Sequence, residues 1–159
     1  MRTETRPANE RDLDWLMAQL AKFDKASGFK RTFLESKEYA RGGMTALINE
    51  HVVIVCESVR RVGPTDYPEF REPLGFIAGT VAGHPFNPNI RVLTELFWWV
   101  VPEHRVTRAG FLLLDEFTRI GRRSCDWIVF NVQRHTPVGR RHFERRGFVQ
   151  KEYSFLLEV

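Results

Sequence analysis

Residues 92–110, VLTELFWWVVPEHRVTRAG, constrain the fold more than any other part of the chain. The first half is a short apolar run, rich in β-branched and aromatic residues, that ends at Pro102. These properties predict a strand. A second apolar run follows at once and changes period, because Leu113, Phe117 and Ile120 recur at helical spacing. The chain is therefore expected to pass from a strand into an amphipathic helix through a short turn.

That turn is basic and is suited to bind an anion. A helix begins with backbone N–H groups that have no acceptor inside the helix, and its dipole places positive potential at the same end. Arg105 and Arg108 lie in the turn itself. The segment therefore predicts a phosphate site at the start of the helix.

The remaining elements are predicted from periodicity, capping residues, and the positions of glycine and proline. The expected strands are Thr3–Arg6, Val52–Cys56, Leu74–Ala82, Trp127–Val132 and Tyr153–Val159. Other helices are expected after an N-cap at Asn9, over Thr32–Leu47, and from an N-cap at Thr136 to a terminal glycine at Gly147. Residues 22–31 and 84–89 are expected to be loops. This order predicts one mixed α/β layer fold, with residues 1–159 forming a single domain.

Composition narrows the classes of partner. The net charge of +4 suits a polyanionic ligand, although the arginines are spread through much of the chain. No apolar stretch is long enough to span a bilayer, and the N-terminal residues lack the apolar segment of a signal peptide. A cytoplasmic location without a membrane partner is expected.

Cys56 and Cys125 lie in or beside apolar runs and are expected to be reduced thiols; no Cys/His spacing predicts a metal site.

Three segments, in their order and spacing, resemble the GNAT superfamily of acyl-CoA-dependent N-acyltransferases. Residues 98–105, WWVVPEHR, resemble the fourth strand of the family and its exit. Residues 105–110, RVTRAG, resemble its pyrophosphate loop, Gln/Arg-x-x-Gly-x-Gly/Ala. Residues 136–148, which end in FERRGF, resemble its last helix with a terminal Gly-Phe. The order of elements agrees over nearly the whole chain.

The resemblance implies a three-layer fold, in which helices flank a mixed, mostly antiparallel sheet that splays between strands four and five. It also implies transfer of an acetyl or other short acyl group from acyl-CoA to a primary amine, by direct attack in a ternary complex. Acetyl-CoA is then the co-substrate, and no metal is needed. The implied cofactor-binding residues are Trp98, Trp99, Val100, Arg105, Val106, Thr107, Arg108, Ala109, Gly110, Asn131 and Thr136. A strand-four amide near Val100 would polarise the thioester carbonyl.

The sequence departs from the family pattern at four positions. Arg108 replaces the first glycine of the loop, and it either points outward to pair with a phosphate or obstructs the site. Phe143 replaces the tyrosine that many members use as an acid for the thiolate. Asn131 stands where some members have an acidic residue, and Thr136 replaces a frequent asparagine. The residues implied to bind the cofactor therefore match the family pattern better than those implied to transfer protons.

Three residues are candidates for the missing acid–base chemistry. Glu95 lies within the apolar fourth strand, where desolvation would raise its pKa toward that of a general base; alternatively it pairs with a core arginine or faces solvent. His135 precedes the last helix and titrates in a suitable range, but a loop histidine need not be catalytic. Tyr153 could supply a hydroxyl from the last strand, or be an ordinary half-buried sheet residue. His84 could contact the acceptor.

The acceptor, a small amine or a protein amine, is expected between three connections of variable shape: Lys22–Thr32, His84–Arg91, and the region after Val132. One alternative retains the fold without catalysis, as a CoA-binding or protein-interaction module. Another alternative is a basic nucleic-acid-binding domain. The sequence does not show the alternation of basic and aromatic residues that is typical of RNA-binding modules. No nucleic-acid partner is therefore expected, and the resemblance allows a homodimer through edge strands.

Overall fold

The computed structural model describes residues 2–61, 63, 69–133, 138–152 and 157. In these residues the strands are β1 Arg2–Pro7, β2 Val52–Arg60, β3 Phe70–His84, β4 Asn87–Val100 and β5 Trp127–Val129. The helices are α1 Leu13–Ser27, α2 Lys37–Glu50, α3 Ala109–Ser124 and α4 Arg140–Glu144, with single 3₁₀ turns at Glu10–Asp12 and Pro102–His104. None of the described helices is long and apolar enough to cross a bilayer.

The sheet is mixed, and it opens on one side. Its strands lie in the order β1-β2-β3-β4-β5; the first four are antiparallel, whereas β5 runs parallel to β4. The pairing of β4 with β5 covers only residues 92–94 and 127–129. Because β4 continues to Val100 after β5 has ended, the sheet splits beyond Thr94. The predicted fold, including the splay between strands four and five, is confirmed.

Helices cover both faces of the sheet, as strand alternation requires. One buried cluster joins α1 and α2 to the face that carries Phe76 and Trp99. The other joins α3 to the opposite face, where Ile77 and Leu93 lie and against which Trp98 packs. The amphipathic pattern of α3 is confirmed, and Trp98 and Trp99 do point to opposite faces.

The start of the first helix is confirmed, but its end was wrongly predicted. The side chain of Asn9 accepts a hydrogen bond from the Arg11 amide, and Asp12 accepts one from the Asn9 amide, as in a capping box. The helix then continues to Ser27, through half of the expected loop, and stops where Gly28 adopts a φ of +76°. Phe23 favours this extension, because its ring packs against the sheet 6.0 Å from Trp99.

The segment 84–89 was also wrongly predicted, since it belongs to a tight hairpin. β3 extends to His84 and β4 begins at Asn87, which pairs with it. Pro88 is tolerated in β4 because β5 begins to pair only from Val92, so the missing N–H leaves no ladder bond on that side unmade.

The other boundaries differ from the sequence predictions by several residues. β1, β2 and β3 are longer than expected, α2 begins and ends later, and β5 stops at Val129 rather than Val132. α4 ends at Glu144, earlier than expected, and Gly147 closes the turn that follows it. Gly147 has the predicted left-handed conformation, with a φ of +86°; its amide donates to the Glu144 carbonyl, and the Phe148 amide donates to the Phe143 carbonyl. The last helix was expected to begin at Thr136, but α4 begins at Arg140, after an N-cap at Gly139 in an extended conformation. Thr136 itself and nearly all of the strand expected over 153–159 lie outside the described residues.

Gly79 in β3 makes the close packing of α3 possible. A Cβ at this position would lie 2.5 Å from the Thr94 carbonyl oxygen and 2.6 Å from Cζ of Phe117. We expect Gly79→Ala to lower the free energy of unfolding by about 1–3 kcal/mol, the usual cost of overpacking, as measured by urea denaturation. Gly83→Ala in the same strand is the control, since a Cβ there meets nothing within 4 Å. Equal stability of the two variants would contradict the prediction.

Candidate active site

The split in the sheet opens into a cleft of about 330 Å³. The described residues that line it come from four elements. The end of α1 contributes Phe23, Ala26 and Ser27, and β4 contributes Glu95, Leu96, Trp98, Trp99 and Val100. The turn before α3 and its first residues contribute Arg105, Thr107, Gly110 and Phe111, and the chain after β5 contributes Phe130, Asn131, Val132, Gln133 and Val138. Because α1 and α3 cover opposite faces, the cleft passes through the sheet from one face to the other.

A β-bulge in β4 lies at the split. Ala78 of β3 pairs with Phe97, whereas the next residue, Gly79, pairs with Glu95, so Leu96 has no partner. Such a bulge bends the strand and increases its twist. Leu96 is consequently 41% exposed and lines the cleft, although it follows a buried residue in an apolar run.

Glu95, beside the bulge, is the buried carboxylate of the cleft. It is 5% exposed, and its Oε2 accepts a hydrogen bond from the Asn131 amide at 3.2 Å. The Asn131 side chain donates to the carbonyl oxygen of Glu95 at 3.3 Å. Burial raises the pKa of Glu95 to about 7, and the Asn131 N–H opposes part of that shift. No arginine or lysine in the described ranges pairs with Glu95, and it does not face solvent, so neither alternative interpretation of this residue is supported.

The turn before α3 and the first turn of the helix leave several backbone donors free, and two of them belong to the cleft-lining residues Gly110 and Phe111. The Thr107 amide donates to the His104 carbonyl, and the Ala109 amide donates to the Thr107 hydroxyl. The amides of Val106, Arg108, Gly110 and Phe111 have no acceptor among the described residues. The first turn of α3 also contains no acidic side chain. The helix start can therefore bind an anion. Three of its free amides belong to the predicted loop, and that of Phe111 does not.

The two arginines of this turn have different positions. Arg108 is exposed and is not among the described residues that line the cleft. Arg105 does line the cleft: its Nε donates to the Val100 carbonyl oxygen at 3.2 Å, and its guanidinium carbon lies 4.6 Å from the Trp99 ring centroid. This position is a cation–π contact at the exit of β4.

The backbone of β4 turns polar groups toward the split. The Val101 amide donates to Leu74 of β3, so Val101 belongs to a hydrogen-bonded pair. Hydrogen-bonded and non-hydrogen-bonded pairs alternate along two antiparallel strands. The backbone N–H and C=O groups of Val100 and Trp98 therefore face away from β3. The indole Nε1 of Trp98 is buried without a described partner. The backbone of Trp99 instead faces β3, while its Nε1 donates to Gln19 of α1 at 3.2 Å.

Several predicted residues lie elsewhere or cannot be placed. His135, Thr136 and Tyr153 are outside the described residues. The ring of His84 packs 5.1 Å from Trp127, and no residue of the segment His84–Arg91 lines the cleft, whereas the other two expected acceptor segments contribute to it. Among the described residues, no group of three or more histidine, cysteine, aspartate or glutamate side chains could hold a metal ion. Cys56 is buried, and Cys125 is partly buried; both are free thiols.

Sequence reasoning missed Phe111 and Phe130 as lining residues. Phe130 follows β5 and packs 5.2 Å from Phe117 and 5.4 Å from Phe143. Phe143, which stands where the family often has tyrosine, is buried in this aromatic cluster. Phe111 lies in the first turn of α3 and Phe130 directly follows β5. Aromatic residues at such positions are usually core residues, so no sequence signal distinguished these two.

Several solved structures similar to this one carry the name acetyltransferase. A predicted acetyltransferase from Clostridium acetobutylicum, solved with acetyl-CoA, has a TM-score of 0.70 at 16% identity, over 99% of this chain and 96% of that chain. A GCN5-related N-acetyltransferase from Ralstonia eutropha JMP134 has a TM-score of 0.67 at 19% identity, over 98% and 99% of the two chains. The chain has the GNAT fold.

Not every protein with a similar structure carries the name acetyltransferase. A transcriptional regulator from Bacillus halodurans C-125 has a TM-score of 0.71 at 20% identity, over 99% of this chain and 100% of that chain. No protein-family model and no curated protein matches the sequence. At these identities the GNAT likeness establishes the fold, and the chemistry has to be argued from the cleft.

Proposed function

We propose that this protein is an acyl-CoA-dependent N-acyltransferase that transfers an acetyl or other short acyl group to a primary amine. One observation carries the proposal. A buried carboxylate without a described cationic partner, Glu95, lies in the same cleft as the anion-binding start of α3. A base and a phosphate site in one cleft fit a phosphate-bearing acyl donor and an amine acceptor.

The residues of the cleft suit acyl-CoA, which would supply the acyl group activated as a thioester. The free amides at the start of α3, together with Arg108, would bind its diphosphate. The backbone groups of Trp98 and Val100 that face the split would pair with the amides of its pantetheine arm.

The carboxylate would handle the proton of the amine. With a pKa of about 7, Glu95 is ionised in about half of the molecules at neutral pH and can accept a proton from an ammonium group. The neutral nitrogen then attacks the carbonyl carbon. The C–N bond forms, the C–S bond breaks, and the electron pair leaves with sulfur. The nitrogen loses its second proton, which balances the proton that the thiolate gains. Most of the rate gain would come from holding both substrates in one cleft, for which about 7–11 kcal/mol is available.

The leaving thiolate also needs a proton donor. Phe143 has no hydroxyl and cannot serve as the acid. His135 and Tyr153, which are outside the described residues, stay proposals for this role, and each is tested by comparing the pH–rate profile of His135→Gln or Tyr153→Phe with that of the wild type.

Acetyl-CoA is expected to bind at the α3 turn in calorimetry. At a hundredfold excess over the dissociation constant it should stabilise the fold by about 2.7 kcal/mol. The amide resonances of Val106, Arg108, Gly110 and Phe111 should shift. Arg108→Met should weaken binding about tenfold through loss of a charge-assisted contact. Arg123→Met, at the far end of the same helix, is the matched control and should bind as the wild type does.

Two results would overturn the proposal in different ways. If saturating CoA neither raises the melting temperature nor shifts these resonances, the cleft is not a CoA site. If acetyl-CoA binds but no thiol is released with any amine of a broad panel, the protein is a catalytically silent CoA-binding module. Tighter binding by Arg108→Met would instead mean that this arginine obstructs the site.

A further inference from the structure

The side of the cleft away from α3 is built by the last two turns of α1. Phe23, Ala26 and Ser27 stand at i, i+3 and i+4, so they share one helix face, and all three line the cleft. Leu96, which the bulge exposes, lines it beside Glu95. Since phosphate would bind at the α3 side, the acceptor would enter from the α1 side.

The α1 side is apolar and firmly packed. The ring of Phe23 meets Phe97 edge-on at 5.5 Å and Trp99 at 6.0 Å, and Phe33 stacks on Phe97 at 5.9 Å. Trp99 is fixed by its hydrogen bond to Gln19. A wall of interlocked aromatic rings offers a substrate apolar contact and edge-to-face packing rather than hydrogen bonds.

The distribution of charge argues against a polycationic acceptor. Among the described lining residues, Glu95 is the single carboxylate and Arg105 the single cation. Arg105 lies over the ring of Trp99, which packs on the α1 face. The α1 carboxylate of Asp24 accepts hydrogen bonds from the Thr32 hydroxyl and the Phe33 amide. A second ammonium group would therefore approach the guanidinium of Arg105, and it would find no second carboxylate among the described lining residues.

We propose that the acceptor is a primary amine on an aromatic or branched aliphatic body without a second positive charge. This inference rests on the proposed function: the amino group would give its proton to Glu95 while the apolar body packs against Phe23, Ala26 and Leu96. It excludes polyamines and lysine side chains in basic peptides as preferred acceptors.

Initial rates of thiol release with acetyl-CoA test the inference. With 2-phenylethylamine, kcat/KM should exceed that with spermidine or with a lysine-containing basic peptide by at least about tenfold, the usual effect of burying one apolar group. Preference for spermidine or the peptide, or equal rates, would overturn the inference and leave the proposed function intact. Failure of acetyl-CoA to bind, measured separately by calorimetry, would overturn the proposed function itself.

A charge placed in the α1 wall should change the preference. Ala26 is exposed, so Ala26→Asp can fold without burying a charge. It should raise kcat/KM for 1,4-diaminobutane relative to 2-phenylethylamine by about tenfold, through one new charge-assisted hydrogen bond. Ala21→Asp is the control, because Ala21 is exposed on the same helix and is not among the described lining residues. The inference fails if Ala26→Asp leaves the ratio unchanged or if Ala21→Asp shifts it equally.

Discussion

Replacing Glu95 with glutamine is expected to lower kcat by about 10²–10⁴-fold, the contribution of a positioned base to proton transfer. Glutamine has nearly the same shape and can still accept the hydrogen bond from the Asn131 amide, but it cannot take a proton. The affinity for acetyl-CoA, measured by calorimetry, should be unchanged. Glu103→Gln, an exposed residue of the 3₁₀ turn after β4, is the matched control and should keep full activity. A Glu95→Gln enzyme with wild-type kcat would remove this carboxylate from the reaction.

The pH dependence gives Glu95 two independent signatures. As a base it must be ionised, so kcat/KM of the wild type should rise with pH up to about 7, and Glu95→Gln should lose this limb. Stability should change in the opposite direction. The pKa of about 7 in the fold lies above the ordinary value of 4.5, so the folded state binds the proton more tightly. Protonated Glu95 contributes to the free energy of unfolding fully below pH 4.5, and this contribution is lost as the pH rises through 7.

The stability signature can be measured as a difference between two proteins. Between pH 4.5 and 8, Glu95→Gln should gain about 3 kcal/mol of unfolding free energy relative to the wild type. Urea denaturation at several pH values measures this difference, and carboxylates elsewhere cancel because both proteins contain them. A difference that does not vary with pH would mean that Glu95 titrates normally and is not poised as a base.

Replacing Arg6 with methionine is expected to destabilise the fold by about 3–5 kcal/mol, the cost of breaking a buried ion pair from one side. Arg6 donates to both carboxylate oxygens of Asp12 at 2.7 Å and to Glu57 at 2.6 Å. The side chain of Glu57 is only 4% exposed, and Arg71 at 3.1 Å is its other cationic contact among the described residues. Without Arg6, the buried carboxylate of Glu57 keeps one guanidinium contact, and Asp12 loses its cationic partner and keeps only the hydrogen bond from the Asn9 amide among the described residues.

Urea denaturation and a thermal melt measure the effect of Arg6→Met, and a fall in Tm of about 10 °C is expected. Arg2→Met is the matched control in the same strand. The side chain of Arg2 is 59% exposed and pairs with Glu4 and Glu69. Solvent-exposed pairs of this kind contribute about 0–1 kcal/mol. If the free energy of unfolding falls by the same small amount in both variants, the ion cluster around Glu57 does not stabilise the fold.

The elements that were predicted well depend on neighbours in sequence. The strand and helix around residues 92–120 follow from hydrophobic period, and the capping box at Asn9 follows from residues three apart. Gly147 has the predicted left-handed conformation after α4, because glycine adopts a positive φ without strain. The opposite directions of Trp98 and Trp99 follow from the pleat of a strand. Local rules failed where packing overrode them, as at Phe23, which extends α1 beyond the expected loop.

The sequence by itself determined that a strand leads through a basic turn into an amphipathic helix, and it singled out Glu95 as a carboxylate in an apolar run. Tertiary structure decided what surrounds that carboxylate. The contact between Glu95 and Asn131 joins residues 36 apart in sequence, and the bulge at Leu96 exists only in the register of β4 against β3. The placement of Arg105 over Trp99 likewise depends on how the chain leaves the sheet. Periodicity reports the face on which a residue lies, whereas burial, pairing and pKa depend on which distant segments meet it, and those contacts are set by the packing of the whole sheet.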